Sequence, residues 1–243
     1  MKHISQIVVF LFISLSLFQC SSDDPAPVEC QLVKVSRDDN YVFTYTYDSQ
    51  SRLTKVLFGS STEPSSVRTF AFSGNEIAIS YGNVTTPGGI DNPPLALTVQ
   101  LNADGFPLSA TSPDNTNWYK FEYKNGVLEH YVSKNSISLD SLLVTFDAAS
   151  KNITTVVKYS WNEGSKVFEN PVTSTYTYDD KINPFYKVFL SHEISVLEYF
   201  SENNALNRGS AEFSWEYNSN NYPIQRDIVG SSSDPLIYEY ACK

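Results

Sequence analysis

The chain has 243 residues, a formal net charge of −10, 41% hydrophobic and 14% aromatic residues, and 16 Tyr and 15 Phe against a single Met. That acidity argues against nucleic acid and anionic membrane faces as partners, and the aromatic content excludes a largely disordered chain. The Tyr and Phe excess favours strands over packed helices, in one large or two small domains.

The first 19 residues read as a signal peptide. Lys2 and His3 supply a basic start, and Ile7 to Phe18 is an apolar run too short to span a bilayer as a helix. The run ends at Leu17-Phe18-Gln19-Cys20, which resembles a bacterial lipoprotein signal whose Cys becomes the lipidated first residue. Phe18 and Gln19 stand where small residues are usual, and the Bacteroidota group is looser there. Ser21-Ser22-Asp23-Asp24 resembles the acidic export tag of that group's surface lipoproteins. An ordinary secretory signal with Cys20 unmodified is the alternative. Acyl chains on Cys20 would anchor the protein, each buried methylene adding about 0.8 kcal/mol. Removing residues 1–19 takes away Lys2 and no carboxylate, so the charge moves from −10 to −11. Residues 20–28, with Pro25 and Pro27, read as a tether, and residues 29–243 as one domain.

Cys30 to Ser36 is a first strand. In Tyr41 to Tyr47 the aromatics fall on alternate positions, with Val42, Thr44 and Thr46 between them. Period two places all the aromatics on one face. Asp48 to Arg52 is a polar turn, and Leu53 to Val56 returns. The same plan recurs. Arg68 to Phe72 turns into Ile77 to Tyr81, and Leu95 to Leu101 turns through Asn102 to Gly105 into Phe106. Trp118 to Tyr123 turns through Asn125-Gly126, a strong hairpin signal. Leu142 to Phe146, Ile153 to Trp161, Ser174 to Tyr178, Ala211 to Tyr217 and Leu236 to Tyr240 complete the series. The residues before the turns, Tyr47, Phe72, Leu101, Tyr123, Phe146, Tyr178 and Tyr217, mark an irregular repeat. No unit can bury its aromatic face alone, so neighbours must stack. The expected fold is all-β, an antiparallel β-meander of repeated hairpins forming a curved sheet or partial barrel.

One stretch differs. Between Asn183 and Phe200 the apolar positions 185, 188, 189, 196 and 199 suit a helical face, and Pro184 suits a helix start. A short helix near 185–199 is expected to pack on the aromatic face.

The acidic tag after Cys20, the Cys30 to Val35 opening, the Tyr-Thr-Tyr-Asp and Tyr-Asn turns, the Asn183-Pro184-Phe185 segment leading to Ser201 to Asn204, and the Tyr238 to Cys242 ending occur in this order. Together they resemble a family of Bacteroidota lipoproteins of unknown function with a porin-like fold of successive hairpins. The hairpins also resemble the tyrosine–aspartate repeats of large bacterial surface shells. The resemblance implies a curved meander or partial barrel, no enzymatic activity and no functional residues to carry over.

Nucleophilic catalysis needs a base beside the nucleophile. The histidines are His3 in the signal, His130 in a predicted strand and His192 in the apolar segment, and no Gly-x-Ser-x-Gly elbow occurs. Both mature histidines read as structural. Asn102 to Gly105 and Asp179-Asp180 read as turns, since neither has the downstream bidentate Glu of a calcium loop. Glu122, Glu212 and Glu216 fall opposite the aromatic face. No metal or other cofactor is expected. Cys30 and Cys242 would form a disulfide if the terminal strands are neighbours, and are otherwise unrelated thiols. Trp118 has the wrong parity for the aromatic face, so it is either a sugar-stacking residue or a strand-start Trp under a loop. Trp161 and Trp215 fit the buried parity. The expectation is a non-enzymatic lipoprotein of the outer membrane, exposed at the cell surface, that binds a glycan or another envelope protein. The alternatives are a purely structural envelope component and a hydrolase with an unrecognised site.

Overall fold

In the computed structural model, residues 29–84, 94–135, 137–147, 149–188 and 199–242 are described. Among the described residues eighteen strands follow one another: β1 (Cys30–Asp38), β2 (Tyr41–Tyr47), β3 (Leu53–Gly59), β4 (Pro64–Ser73), β5 (Glu76–Asn83), β6 (Leu95–Leu101), β7 (Pro107–Thr111), β8 (Trp118–Lys124), β9 (Val127–Lys134), β10 (Leu139–Asp147), β11 (Asn152–Asn162), β12 (Val167–Thr175), β13 (Tyr178–Ile182), β14 (Asn203–Ala205), β15 (Asn207–Arg208), β16 (Ala211–Tyr217), β17 (Pro223–Ile228) and β18 (Leu236–Cys242). Sixteen of them form one antiparallel sheet in the order β12 down to β1, then β18, β17, β16 and β15. The sheet is nearly closed as a barrel. The first and last strands of the chain are paired, and β12 and β15 approach without pairing.

Three of the repeated turns share one mechanism. In these hairpins an Asx side chain follows the anchor residue: Asp48, Asn102 and Asn218. Each Oδ1 accepts the N–H groups two and four residues on, at 2.9–3.1 Å. The third residue after it, Ser51, Gly105 or Asn221, has φ of +62°, +82° or +64°, the left-handed conformation that closes a hairpin with a bulge. The ladder shifts by one residue at each site, which pairs Tyr47 with Leu53, Leu101 with Pro107 and Tyr217 with Pro223. The anchor tyrosines then tie one unit to another. Tyr47 donates to the Leu32 carbonyl at 2.9 Å, and Tyr123 donates to the Pro107 carbonyl at 2.6 Å.

The aromatic face points inward, as its periodicity predicts. Phe43, Tyr45, Val56, Phe70, Ile79, Val99 and Tyr238 belong to one buried cluster, and Phe121, Leu128, Tyr131, Val144 and Ile153 to a second. The outward positions of β2, β3, β8, β9, β16 and β18 carry Thr44, Thr46, Lys55, Lys120, Glu122, Glu129, Glu212, Ser214, Glu216 and Glu239, all exposed. Scattered apolar side chains such as Leu108 and Leu143 interrupt this polar surface. A membrane-spanning barrel has the reverse polarity, with an apolar band facing lipid and a polar lumen.

Tyr178-Asp179 is not a hairpin turn of the repeat, because β13 runs through it and pairs with β14 in a separate two-stranded sheet. The Asp179 carboxylate accepts from the N–H groups of Lys181 and Asn204 and from the Tyr217 hydroxyl, so it joins three segments instead of folding a local turn. Trp161 lies on the face opposite buried Val156 and packs edge-to-face on Phe168, itself exposed, with centroids 5.1 Å apart. Of the stretch expected to be helical, residues 184–187 form a turn, residues 199–200 are helical, and residues 189–198 lie outside the described residues. Both described ends pack on the inner face as expected. Phe185 packs against Tyr238, and Phe200 stacks on Phe106 and meets Phe121.

Candidate functional site

The inner face is not filled everywhere. A chamber of about 240 Å³ is lined by Val35 of β1, residues 41, 43 and 45 of β2, Val56 of β3 and Arg68 of β4. Across from them stand Arg208 of β15, Phe213 of β16, Arg226 and Ile228 of β17, Leu236 and Tyr238 of β18, and Phe185. These strands are consecutive in the sheet, so the chamber is the concave side of one continuous wall.

Register explains why three arginines reach it. Arg68 shares parity with buried Phe70 and sits directly between Val56 and Tyr81 in the neighbouring strands. Arg226 pairs with inward Trp215, and Arg208 pairs with Ala211, which shares the inward parity of Phe213 and Trp215. Aromatic rings hold two of the guanidiniums. Arg68 lies 5.4 Å from the Tyr81 centroid, and Arg226 lies 5.1 Å from that of Phe213 and 5.5 Å from that of Trp215. No Asp or Glu is among the described residues lining the chamber. The described lining is thus arginine-rich and aromatic in a protein of strongly negative net charge.

A smaller alcove of about 20 Å³ adjoins the chamber and shares Phe185, Arg208 and Arg226 with it. Asn204 lines this alcove at 3% exposure. Its Nδ2 donates to the Ile182 carbonyl at 3.0 Å, and among the described residues no donor reaches its Oδ1. Nearby, burial and the Asp179 carboxylate push the Tyr217 phenol up.

The residues singled out from sequence lie elsewhere. Cys20 and His192 are outside the described residues. Cys30 and Cys242 face each other across the β1–β18 ladder and form a disulfide. Trp118 opens β8 on the outer wall, half-buried, with the Lys120 ammonium 5.6 Å from its ring centroid. His130 is not isolated. Its Nδ1 lies 3.0 Å from Glu122 Oε2 and its Nε2 lies 2.8 Å from Ser141 Oγ, across three strands of the outer face. The order of groups matches a Ser-His-acid relay. Ser141 lies inside a strand paired on both sides, with Val132 and with Tyr159. Its neighbouring N–H groups therefore serve the ladder and cannot form an oxyanion hole, the donor set that acyl transfer depends on.

The overall architecture has solved counterparts. Its fold is porin-like. A porin-like protein from Bacteroides uniformis ATCC 8492 matches with a TM-score of 0.53 at 13% identity, covering 87% of this chain and 95% of that one. A porin-like protein from Bacteroides vulgatus ATCC 8482 matches with a TM-score of 0.52 at 11% identity, covering 88% of this chain and 99% of that one. No protein-family model and no curated protein matches the sequence. At these identities the likeness concerns the fold alone.

Proposed function

We propose that this is a lipid-anchored envelope protein whose barrel stands outside the bilayer and binds a small ligand in its chamber without chemically changing it. The chamber itself carries the reading: an aromatic cavity on the concave face of a barrel whose wall is polar outside. Lys55 and Lys120 on that wall would each disfavour hydrocarbon by about 2–4 kcal/mol at the membrane midplane, and its glutamates by less. A lipoprotein with its anchor at Cys20 and a tether over residues 20–28 would hold such a barrel at an outer-membrane surface. Labelled palmitate should enter the wild-type protein and not Cys20→Ser. With the full chain in lipid nanodiscs, a small neutral aromatic such as benzamide should bind saturably beyond its uptake by lipid-only nanodiscs, and Val56→Phe, which fills the chamber, should abolish that binding. Unchanged binding in Val56→Phe would sink the reading.

Capture of a glycan or another envelope protein has its own candidate surface on the outer wall, where Trp118 is partly exposed. Saturable polysaccharide binding that is lost in Trp118→Ala would move the function to that wall.

A further inference from the structure

We propose that the outer wall over β8–β12 is a second binding site, a platform on which the rings of a neutral polysaccharide stack; this deepens the outer-wall reading of Trp118 and is independent of the chamber. Backbone register assembles the platform. Trp118 pairs with Lys134 and Lys134 with Leu139, while Asp140 pairs with Ser160 and so sets Leu139 beside Trp161. Trp161 in turn pairs with Phe168, the two rings edge-to-face at 5.1 Å. One row thus crosses five strands, with its two tryptophan positions three strand spacings apart, about 14 Å. The usual polarity is inverted at this end of the barrel. Asp140, Lys158 and Ser160 take the inward positions, in phase with buried Val144 and Val156, and Asp140 holds Lys158 at 2.9 Å and Ser160 at 3.1 Å. A polar inside offers the rings no apolar core, and they stand on the outside, with Phe168 36% exposed and both tryptophans partly so.

The groups around the rings select the occupant. An aromatic face is a flat apolar surface that fits the C–H face of a sugar ring. The polar groups beside the row carry both signs. Lys134 lies within it and the Lys120 ammonium is 5.6 Å from the Trp118 centroid, while Glu163 follows Trp161 by two residues and is held by Lys166 at 2.6 Å. Hydroxyls both donate and accept, so sugars can use lysine and glutamate alike. A polyanion or a polycation would meet repulsion from one or the other. The core of a protein interface is depleted of charge, and here Lys134 sits between Trp118 and Leu139. A second copy carries the same net charge of −10, which disfavours pairing. The bilayer that holds Cys20 is on the wrong side. β1 starts at Cys30, at the end of the barrel that carries the Asp48 turn, and the row lies at the opposite end of the strands. β1 is also eight strands from β9 in the sheet of sixteen. A barrel tethered through Cys20 turns this wall away from its own membrane.

The full chain in nanodiscs is titrated with dextran, laminarin and galactomannan, with lipid-only nanodiscs as the blank and alginate as the charged comparison. At least one neutral polymer should bind saturably, with an affinity little changed by salt, and its monosaccharide should compete far more weakly than its oligomers. Trp118→Ala and Trp161→Ala should each weaken binding about tenfold. Trp161→Tyr should keep most of the affinity, and Val56→Phe should leave it unchanged. Phe168→Ala, at the exposed end of the row, gives a further reading should either tryptophan variant melt at a lower temperature. Binding lost in Trp118→Ala and retained in both Trp161→Ala and Phe168→Ala would overturn the platform and leave Trp118 as a lone contact. Binding confined to alginate, or abolished by salt, would overturn the neutral ligand. Self-association of the wild-type chain that disappears in Trp161→Ala would assign the row to a second copy instead. No binding to any neutral polymer would remove this inference and the outer-wall reading together, with the chamber untouched.

Discussion

The ring has two junctions, built in different ways. Where β1 meets β18, the closure is a backbone ladder locked by the Cys30–Cys242 disulfide, across 212 residues of sequence. Where β12 nears β15 there is no ladder, and the β13–β14 segment bridges the gap with side chains. On one side it holds Asn152, whose Nδ2 donates to Asn203 Oδ1 at 2.8 Å and whose Oδ1 accepts the Asn203 N–H at 3.1 Å. On the other side Trp215 Nε1 donates to the Ala205 carbonyl at 2.9 Å, and the Tyr217 hydroxyl donates to Asp179. A ladder tolerates most side chains, because backbone groups do the bonding. A bridge of Asn, Asp, Tyr and Trp tolerates few, because each buried partner left alone costs desolvation energy.

That contrast can be broken at either junction. Cys30→Ser with Cys242→Ser should lower unfolding stability by on the order of 5 kcal/mol on the chain-entropy model, given the length of the closed loop. Urea melts of the oxidised protein and the double variant would measure it. Tyr45→Asp should cost about 4 kcal/mol, since it puts an unpaired carboxylate at a position 7% exposed between the two junctions. Near-wild-type thermal stability there would refute the inward assignment of β2. Asn152→Ala should cost about 2 kcal/mol by stranding Asn203. Hydrogen exchange should speed in β12 and β13 before it speeds in β1 or β18, and uniform acceleration would mean that the side-chain bridge is not a separate unit.

Alkali should act on both junctions. Burial pushes Tyr47, which is bonded to β1, up to about 12, and it raises Tyr240 of β18 and Tyr217 at the bridge as well. A folded-state pKa above the unfolded value of about 10 gives stability that is whole below pH 10 and is lost as pH rises through the folded value. For Tyr47 that window is pH 10 to 12, at about 1.4 kcal/mol per pH unit. Phenolate absorbance should rise together with unfolding, and ionisation that precedes unfolding would contradict the burial. The smallest effect belongs to Lys34→Ala. Its exposed 2.7 Å pair with Glu239 beside the disulfide should contribute less than about 1 kcal/mol.

Legibility in the sequence followed the range of the interaction. The hairpins could be read because Tyr47-Asp48, Leu101-Asn102 and Tyr217-Asn218 combine a two-residue period with an Asx turn. Both are local. Arg68 could have been read as inward, since it shares parity with Phe70 and Phe72, and that signal was missed. Arg208 and Arg226 had no such signal. β15 is two residues long, and β17 is placed by its pairing with β18 and, across a bulge, with β16. The contact of His130 with Glu122 and Ser141 depended on the register of three strands, and Tyr178-Asp179 imitated a turn whose acceptor was needed elsewhere.

By itself, then, the sequence determined most of the strands, most of their inward aromatic faces, the local Asx turns and the resemblance of its first residues to a lipoprotein signal, because backbone period and turn chemistry act within a few residues. Only the tertiary structure decided that the terminal strands meet, that Cys30 reaches Cys242, that a side-chain bridge spans the second junction and that three arginines surround one chamber. Those outcomes depend on the curvature accumulated over the sheet and on each bulge along it, which no local pattern encodes.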